Sequence, residues 1–335
     1  MKSLNEIGEF KLIDSIKKSI TTTSSAIING IGDDCAVIAG DNKNVYLIST
    51  DLLIEGVHFE LEYFSACDIA TKAVAVNVSD IAAMGGRPKF ITVSIALDKN
   101  SNLHFFKDFY AGVKRSCKKY DIDLIGGDTS SSKNGIFISI TIIGEAKNNE
   151  YLLRNGAKPG ESIYVTGNLG DSSGGLDILK NKYAIDEKVD KFLVKRHLTV
   201  SPRVDEGAML AASKSVSSMI DLSDGVGSDI QRICEESNVG AEIFAESIPV
   251  SKQLKSLSKV SGKDVLDYAL YGGEDYELML TVKEGDEKML ESDFRKQFKK
   301  KIYRIGKIVE GERAKLKDIN GIYHNISNGY NHFLN

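Results

Sequence analysis

Five short stretches of the chain place an aspartate beside small residues, and this pattern limits the possible folds and activities more than any other feature. They are Gly32-Asp33-Asp34, Ser49-Thr50-Asp51, Val78-Ser79-Asp80, Gly126-Gly127-Asp128-Thr129 and Asp221-Leu222-Ser223-Asp224-Gly225. A sixth stretch, Gly272-Gly273-Glu274-Asp275, resembles the fourth. Clustered carboxylates raise one another's pKa unless a cation lies among them. Because Mg²⁺ takes oxygen ligands and usually accompanies phosphates, the pattern predicts an Mg²⁺-dependent nucleotide enzyme.

Composition narrows the class of protein. The 335 residues are 42% hydrophobic and 27% charged, which indicates a globular chain long enough for about two domains. A net charge of −4 without a basic stripe argues against a nucleic-acid partner. Anionic substrates must then be held by local features such as metal ions, helix N-termini and a few basic side chains.

Cysteine usage and hydropathy bear on the compartment. The four cysteines are scattered and form no CxxC pair, which disfavours a zinc site or a disulfide framework and favours the reducing cytoplasm. No run of about 18 apolar residues occurs, so no membrane span is expected. The first ten residues also lack the apolar core of a signal peptide.

The N-terminal half reads as strands and helices around the acidic turns. A strand over 45–50 would deliver Asp51 at its end, and a helix over 68–84 would begin at Asp68 as N-cap. Asn77 and Asp80 lie three residues apart on that helix and therefore share a face. Further elements are predicted as strands over 89–97, 122–125 and 136–146 and a helix over 102–119. A polar break at 147–152 predicts two domains, residues 1–148 and 149–335.

The C-terminal half continues the mixed pattern. Strands are predicted over 162–166, 217–221, 240–244, 276–282 and 302–309, with a helix from about Asp171 and another after Gly225. Ser201-Pro202-Arg203 predicts a further helix, with serine as its cap. The glycine-rich stretch 167–175 is either an anion site at a helix N-terminus or a tight turn. No Walker A, Rossmann or protein-kinase motif occurs.

Each candidate residue also has an ordinary structural interpretation. A single aspartate in a turn is often a cap, and His58 could be a structural hydrogen-bonding residue. Arg154 could clamp a phosphate or simply lie at the surface. Asp80 is harder to explain, because a carboxylate within so apolar a helix requires a metal ion or a partner.

Taken in order, the motifs resemble the thiamine-monophosphate kinase family, within the aminoimidazole-ribonucleotide-synthetase-like superfamily. The matching stretches include Gly30-Ile-Gly-Asp-Asp34, Lys72-Ala-Val-Ala-Val-Asn77-Val-Ser-Asp80, Ile125-Gly-Gly-Asp128, Ile220-Asp-Leu-Ser-Asp-Gly225, Gly272-Gly-Glu-Asp-Tyr-Glu-Leu278 and His332-Phe333. The resemblance implies an α/β (α+β) architecture of two domains. Residues 1–148 would bind ATP and Mg²⁺ and dimerise, and residues 149–335 would complete the nucleotide and thiamine phosphate site.

The same resemblance implies a reaction and a set of site residues. ATP would phosphorylate thiamine phosphate to thiamine diphosphate within a cytoplasmic homodimer, and Asp51, Asp80 and Asp128 would be catalytic. The implied ligands of several Mg²⁺ ions are Asp34, Ser49, Thr50, Asp51, Asp80, Asp128, Asp221 and Asp224. The implied nucleotide contacts are Tyr110, Gly127, Asp128, Arg154 and Ser223, and the implied substrate contacts are His58, Glu274 and Tyr330.

One departure concerns ring recognition, since relatives often carry a tryptophan just before the C-terminal motif and this chain has none. Asn325-Ile326-Ser327-Asn328 occupies that stretch, so stacking on the substrate would depend more on Tyr330. Two rival activities remain from the motifs: an ATP-dependent cyclo-ligase of the same superfamily and a non-catalytic nucleotide sensor. Glu274 and His332-Phe333 disfavour the ligase, and the complete set of acidic positions disfavours the sensor.

Overall fold

The computed structural model describes Glu6, residues 8–326 and Gly329, and these residues form two β-sheets with helices packed against them. The strands are β1 (Ile27–Asn29), β2 (Ala36–Ala39), β3 (Asn44–Ile54), β4 (Arg87–Asp98), β5 (Asp123–Ser132), β6 (Phe137–Lys147), β7 (Ser162–Val165), β8 (Val216–Asp221), β9 (Gly240–Phe244), β10 (Leu278–Val282), β11 (Tyr303–Val309), β12 (Ala314–Lys317) and β13 (Tyr323–Asn325). The α-helices are α1 (Glu9–Ser19), α2 (Ala66–Ala83), α3 (Leu103–Tyr120), α4 (Asp171–Asn181), α5 (Glu187–Leu198), α6 (Val204–Ala212), α7 (Val226–Ser237), α8 (Lys252–Ser261), α9 (Val265–Tyr271) and α10 (Glu287–Phe298). Among these residues, no helix combines the length and apolar character needed to cross a membrane.

The first sheet has the strand order β1-β2-β3-β6-β4-β5 and is antiparallel except for the β4–β5 pair. Strand β6 alternates regularly, so Ile138, Ile140 and Ile142 are buried in the core that also contains apolar side chains of α2 and α3. The opposite face of the sheet is polar or exposed, and β5 is exposed along almost its whole length. This sheet therefore presents one open face and one open edge.

The second sheet has the order β13-β12-β9-β11-β7-β10-β8 and is also mostly antiparallel, with one parallel pair, β9–β12. Strands β7 and β10 are buried along their full length, because apolar clusters cover the sheet on both sides. The two sheets and their helices give the α/β (α+β) fold class that the sequence predicts.

Helix α2 lies between the two sheets and touches both halves of the chain. It begins with a capping box in which Ser65 and Asp68 exchange hydrogen bonds, and its alanine-rich interior is almost completely buried. Helix α6 packs closely against it: a Cβ added to Gly207 would lie 2.1 Å from the Ala82 carbonyl oxygen. Close packing here places the polar residues at the end of α2 beside β8 of the second sheet.

Several predicted element boundaries are wrong in informative ways. Asp51 lies within β3 rather than at the end of a strand, and the N-cap of α2 is Ser65 rather than Asp68. The 126–128 turn is part of β5, since the chain continues as a strand to Ser132. The helix after Pro202 begins at Val204 with Arg203 as its N-cap.

Candidate active site

An acidic cluster lies where β3, α2 and β8 meet. Carboxylate oxygens of Asp34, Asp80 and Asp221 all lie within 4.8 Å of one another. Ser49 and Asp51 share the face of β3 that is directed at α2, because residues two apart on a strand point the same way. The Ser49 hydroxyl donates to Asp80 Oδ2 at 2.5 Å. Four predicted metal ligands, from both halves of the chain, and Asp51 beside them thus form one group.

Side chains of α2 hold this cluster in register with both sheets. The Asp51 backbone N–H donates to Asn77 Oδ1 at 3.2 Å, and the Ser79 hydroxyl donates to Asp221 Oδ2 at 2.5 Å. The predicted shared face of Asn77 and Asp80 is therefore directed at β3. Ser79 makes the corresponding contact with β8, so consecutive residues of one helix reach strands of both sheets.

Burial and mutual repulsion shift the titration of these carboxylates. Burial, followed by the charges of Asp51, Asp221 and Asp34, raises the pKa of Asp80 well above its usual range. Burial and then Asp34 raise the pKa of Asp221 to about 8, and the same two causes raise that of Asp51 to about 6. Such shifts arise because burial disfavours the charged carboxylates and their mutual repulsion adds to it, while Arg154 offsets only part of the effect on Asp221.

Arg154 lies against the edge of the cluster and is paired with protein rather than left open. Its guanidinium donates to Asp34 Oδ1 at 2.5 Å, and its backbone N–H donates to Asp33 at 3.1 Å. Asp34 Oδ2 is buried and has no hydrogen-bond partner among the described residues. A buried carboxylate oxygen without a donor, on a residue grouped with two other carboxylates, fits a divalent cation with oxygen ligands.

A cavity of about 470 Å³ opens beside the cluster, and Asp51 and Asp80 form part of its wall. Two predicted substrate residues, His58 and Glu274, also line it, together with Ser223 and Asp224. Burial and then the charge of Glu9 raise the pKa of Asp224 to about 6. Apolar and aromatic lining side chains include Leu53, Phe59, Tyr63, Leu176, Tyr271 and Tyr276. The cavity thus combines a carboxylate-rich end with walls suited to an organic ring.

Some predicted residues lie elsewhere in the described part of the chain. The Thr50 side chain is on the open face of the first sheet, where it bonds the Ile140 carbonyl oxygen and the Thr141 hydroxyl. Asp128 is exposed on the edge strand β5, three strand spacings from β3, which is about 14 Å. Gly127 precedes it on β5, and Tyr110 lies on α3 packed against the core of the first sheet. Tyr330 lies outside the described residues.

The glycine-rich stretch before α4 holds a protein carboxylate. Asp275 Oδ2 accepts the Gly170 N–H at 2.6 Å, and Asp275 Oδ1 accepts the Ser172 N–H at 3.2 Å. The anion site suggested for this helix N-terminus is therefore filled by the protein itself. Of the two interpretations of residues 167–175, the structure favours the tight turn.

Comparison with known proteins agrees with this geometry. The family model for AIR synthase related protein, N-terminal domain, matches residues 32–146, and that for the C-terminal domain matches residues 158–319. The chain is 39% identical to the thiamine-monophosphate kinase of Buchnera aphidicola subsp. Schizaphis graminum, covering 98% of this chain and 100% of that protein. The chain belongs to the thiamine-monophosphate kinase family. It is thereby a kinase.

Two further relatives support this membership of the thiamine-monophosphate kinase family. The thiamine-monophosphate kinase of Bacillus subtilis is 36% identical over 98% of this chain and 100% of its own length. A solved structure described as AaThiL complexed with AMPPCP and TMP superimposes with a TM-score of 0.86 at 35% identity and covers 99% of both chains. The match thus extends over the whole chain and both sheets.

Two cavity residues that contact Glu274 were not predicted as site residues from the sequence. Lys72 on α2 and His197 on α5 both line the cavity and both approach the Glu274 carboxylate. A single lysine within the otherwise apolar run of α2 was the available signal for the first. No comparable signal marks His197, because its environment depends on packing between helices distant in sequence.

Proposed function

We propose that this chain transfers the terminal phosphoryl group of ATP to thiamine phosphate, giving thiamine diphosphate and ADP. The observation that carries the proposal is the grouping of Asp34, Asp80 and Asp221 beside a cavity that contains His58 and Glu274. A cluster of carboxylates suits Mg²⁺ bound to phosphates, and the adjoining cavity suits an organic cation. The relative crystallised with AMPPCP and TMP supports this pair of substrates.

Mg²⁺ would be held by Asp34, Asp51, Asp80 and Asp221, with Ser49 and Asp224 at the margins of the group. When bound, the ions would neutralise charge on the phosphate oxygens of both substrates. The acceptor is itself an ionised phosphate oxygen, so the protein needs no general base for in-line transfer. Its own contribution is alignment: Asn77, Ser79 and the strand β3 fix where the carboxylates point.

His58 and Glu274 would meet thiamine phosphate. His58 Nδ1 accepts the Ile54 backbone N–H at 3.0 Å, so the neutral ring carries its proton on Nε2. Nε2 can then donate to a phosphate or ring acceptor. Glu274 supplies negative charge at the cavity wall, which suits the cationic thiazolium. Ser223 and Arg154 would contact the nucleotide, the arginine after exchanging its contact with Asp34 for phosphate.

We further propose that two copies of the chain form the working enzyme. Thr50 and Asp128 both lie on the open side of the first sheet, too far apart to share an ion within one copy. A second sheet facing the first could bring Asp128 and Gly127 of one copy to Thr50 of the other, next to Ser49 and Asp51 in β3. Exposed apolar side chains on this sheet, including Leu52 at 49% and Ile125 at 57%, favour such burial.

The direct test uses purified protein, ATP, Mg²⁺ and thiamine phosphate, with products separated by chromatography. The proposal expects thiamine diphosphate and ADP in equal amounts, and no turnover when the metal is chelated. Thiamine, offered in place of thiamine phosphate, should not be phosphorylated. If thiamine diphosphate fails to form at any Mg²⁺ concentration, the proposed function is wrong.

A further inference from the structure

Lys72 occupies an unusual position for a lysine. It lies in the buried interior of α2, its side chain is 1% exposed, and it is among the largest fully buried side chains of the described chain. Its ammonium lies 2.6 Å from Glu274 Oε1 and donates to the His58 carbonyl oxygen at 2.7 Å. The Phe64 ring centroid lies 5.1 Å from the same nitrogen. The Lys72 ammonium, from the first half of the chain, thus contacts both His58 and Glu274, the two residues proposed to bind thiamine phosphate.

Glu274 depends on such a contact, because its own loop does not favour its conformation. Its φ of 66° lies in the left-handed region, which a glutamate adopts only when the surroundings hold it there. Its backbone N–H donates to the Ser223 carbonyl oxygen at 2.7 Å, which fixes the main chain. The carboxylate is fixed separately, with Oε1 at Lys72 and Oε2 at 3.3 Å from His197 Nδ1.

The charges around Glu274 show which contact dominates. Burial opposes ionisation of Glu274, but Lys72 and then His197 outweigh it, so the pKa of this carboxyl is lowered. Burial lowers the pKa of His197 to about 4, which leaves its ring neutral at pH 7. The ammonium of Lys72 is therefore the full positive charge that holds the carboxylate, while His197 orients its second oxygen.

We propose that Lys72 is a positioning residue for thiamine phosphate, holding Glu274 and the His58 backbone in the geometry that receives this substrate. The proposal rests on the function proposed above. It assigns Lys72 a role distinct from general stability, since a buried ion pair by itself stabilises a fold little compared with apolar packing. It also predicts that the loss of Lys72 affects one substrate and spares the other.

The test compares Lys72→Met, Glu274→Gln and the double variant by steady-state kinetics with each substrate varied in turn. Lys72→Met should raise the KM for thiamine phosphate about 10-fold or more, with the KM for ATP changed less than about 3-fold. In the Lys72→Met background, Glu274→Gln should add less than about 3-fold, because both changes disrupt one unit. An unchanged KM for thiamine phosphate, an equal rise for both substrates, or additive effects would each overturn the proposal.

Arg203→Met is the matched control. Arg203 is also a mostly buried cation, and it pairs with Glu277, three residues beyond Glu274, but neither of this pair lines the cavity. The Arg203→Met change should lower thermal stability and leave the KM for thiamine phosphate within about 3-fold of wild type. If Lys72→Met does not fold, Lys72→Gln takes its place, and failure of both to fold would assign Lys72 a structural role and overturn the proposal.

Binding separates this proposal from the proposed function. Calorimetric titration with thiamine phosphate needs no turnover, so it can be run whether or not the wild type acts as a kinase. If the wild type binds thiamine phosphate without forming thiamine diphosphate, the proposed reaction is wrong and Lys72 can still be tested by affinity. If the wild type forms thiamine diphosphate and Lys72→Met binds thiamine phosphate as tightly, only the positioning role is wrong.

Discussion

At the scale of single residues, the aspartates of the cluster are arranged as ligands for a cation that the protein does not itself supply. Asp51 lies on β3 with its backbone held by Asn77, so its replacement by asparagine should change charge and little else. We expect Asp51→Asn to lower kcat about 100-fold or more, because a lost ligand weakens the stabilisation of charge during transfer. Steady-state turnover measures this loss, and thermal melts with and without Mg²⁺ measure the change in stability.

The control for this change is Asp293→Asn on α10, an exposed aspartate remote from the cluster, which should leave both measurements unchanged. Without Mg²⁺, Asp51→Asn should melt no lower than wild type, since one repelling charge is gone. Near-normal turnover of Asp51→Asn would show that this carboxylate is not a metal ligand.

The raised pKa values of the buried aspartates also predict how the free energy of unfolding varies with pH when a chelator keeps the protein free of metal. Asp221 titrates at about 8 and Asp33 at about 7 in the folded state, both above the usual aspartate pKa of about 4. A raised folded pKa contributes stability that is lost as the pH rises through it, so the free energy of unfolding should fall between pH 6.5 and 8.5. The opposite contribution of His197, whose folded pKa is lowered to about 4, is nearly complete at pH 6.5 and adds only a few tenths of a kcal/mol up to about pH 7.5.

Urea unfolding in chelator at pH 6.5, 7.5 and 8.5 measures this slope. Each unit of pKa difference corresponds to about 1.4 kcal/mol, so the decline should be readily detected. Saturating Mg²⁺ should remove the share due to Asp221, because a bound cation favours the ionised carboxylate. The share due to Asp33 and Asp275, whose pKa values are raised to about 7 mainly by burial, should remain. Stability that is flat or rising over this range without metal would contradict the raised pKa values of these buried aspartates.

At the scale of elements, α2 joins the site to both sheets, and a capping box fixes where this helix begins. Ser65→Ala removes the hydroxyl that accepts the Asp68 N–H, so we expect a loss of about 1 kcal/mol in the free energy of unfolding. Asp68→Ala should cost a similar amount, and the double variant should cost less than the sum, because the two side chains form one motif. Urea unfolding of the three variants measures this, and strict additivity would contradict the capping box.

The bounds of an element were predictable from sequence where hydrophobic periodicity was strong. The prediction failed where tertiary contacts determine where the element begins or ends. Strand β6 alternates so regularly that its predicted span, 136–146, differs from the structure by one residue at each end. Strand β5 was cut short at Ile125, because glycines in a strand resemble a turn; Gly127 is required there since an added Cβ would lie 1.9 Å from the Val93 carbonyl oxygen. The contact of Lys72 with Glu274 joins residues 202 positions apart (274 − 72), which no local pattern encodes.

At the scale of the whole molecule, the site exists only where both halves of the chain meet. Asp221 of the second sheet completes a cluster whose other members, Asp34 and Asp80, belong to the first half of the chain, and Ser79 of α2 bonds to Asp221 across the junction. The family resemblance named Asp34, Asp80 and Asp221 among its implied metal ligands, and the structure places these three together. The resemblance could not predict that Asp128 lies apart from them, because that depends on which face of the sheet each strand residue occupies.

Hybrid dimers test whether that separation reflects a site shared between two copies. Asp51→Asn and Asp128→Asn should each be nearly inactive, since each homodimer lacks one contribution at both sites. In a hybrid purified through two different tags, one site would contain both changes and the other would contain neither. The hybrid should therefore recover about half of wild-type turnover. A hybrid as inactive as its parents would show that both carboxylates act within the same copy. A wild-type protein that sediments as a monomer and is fully active would exclude the dimer.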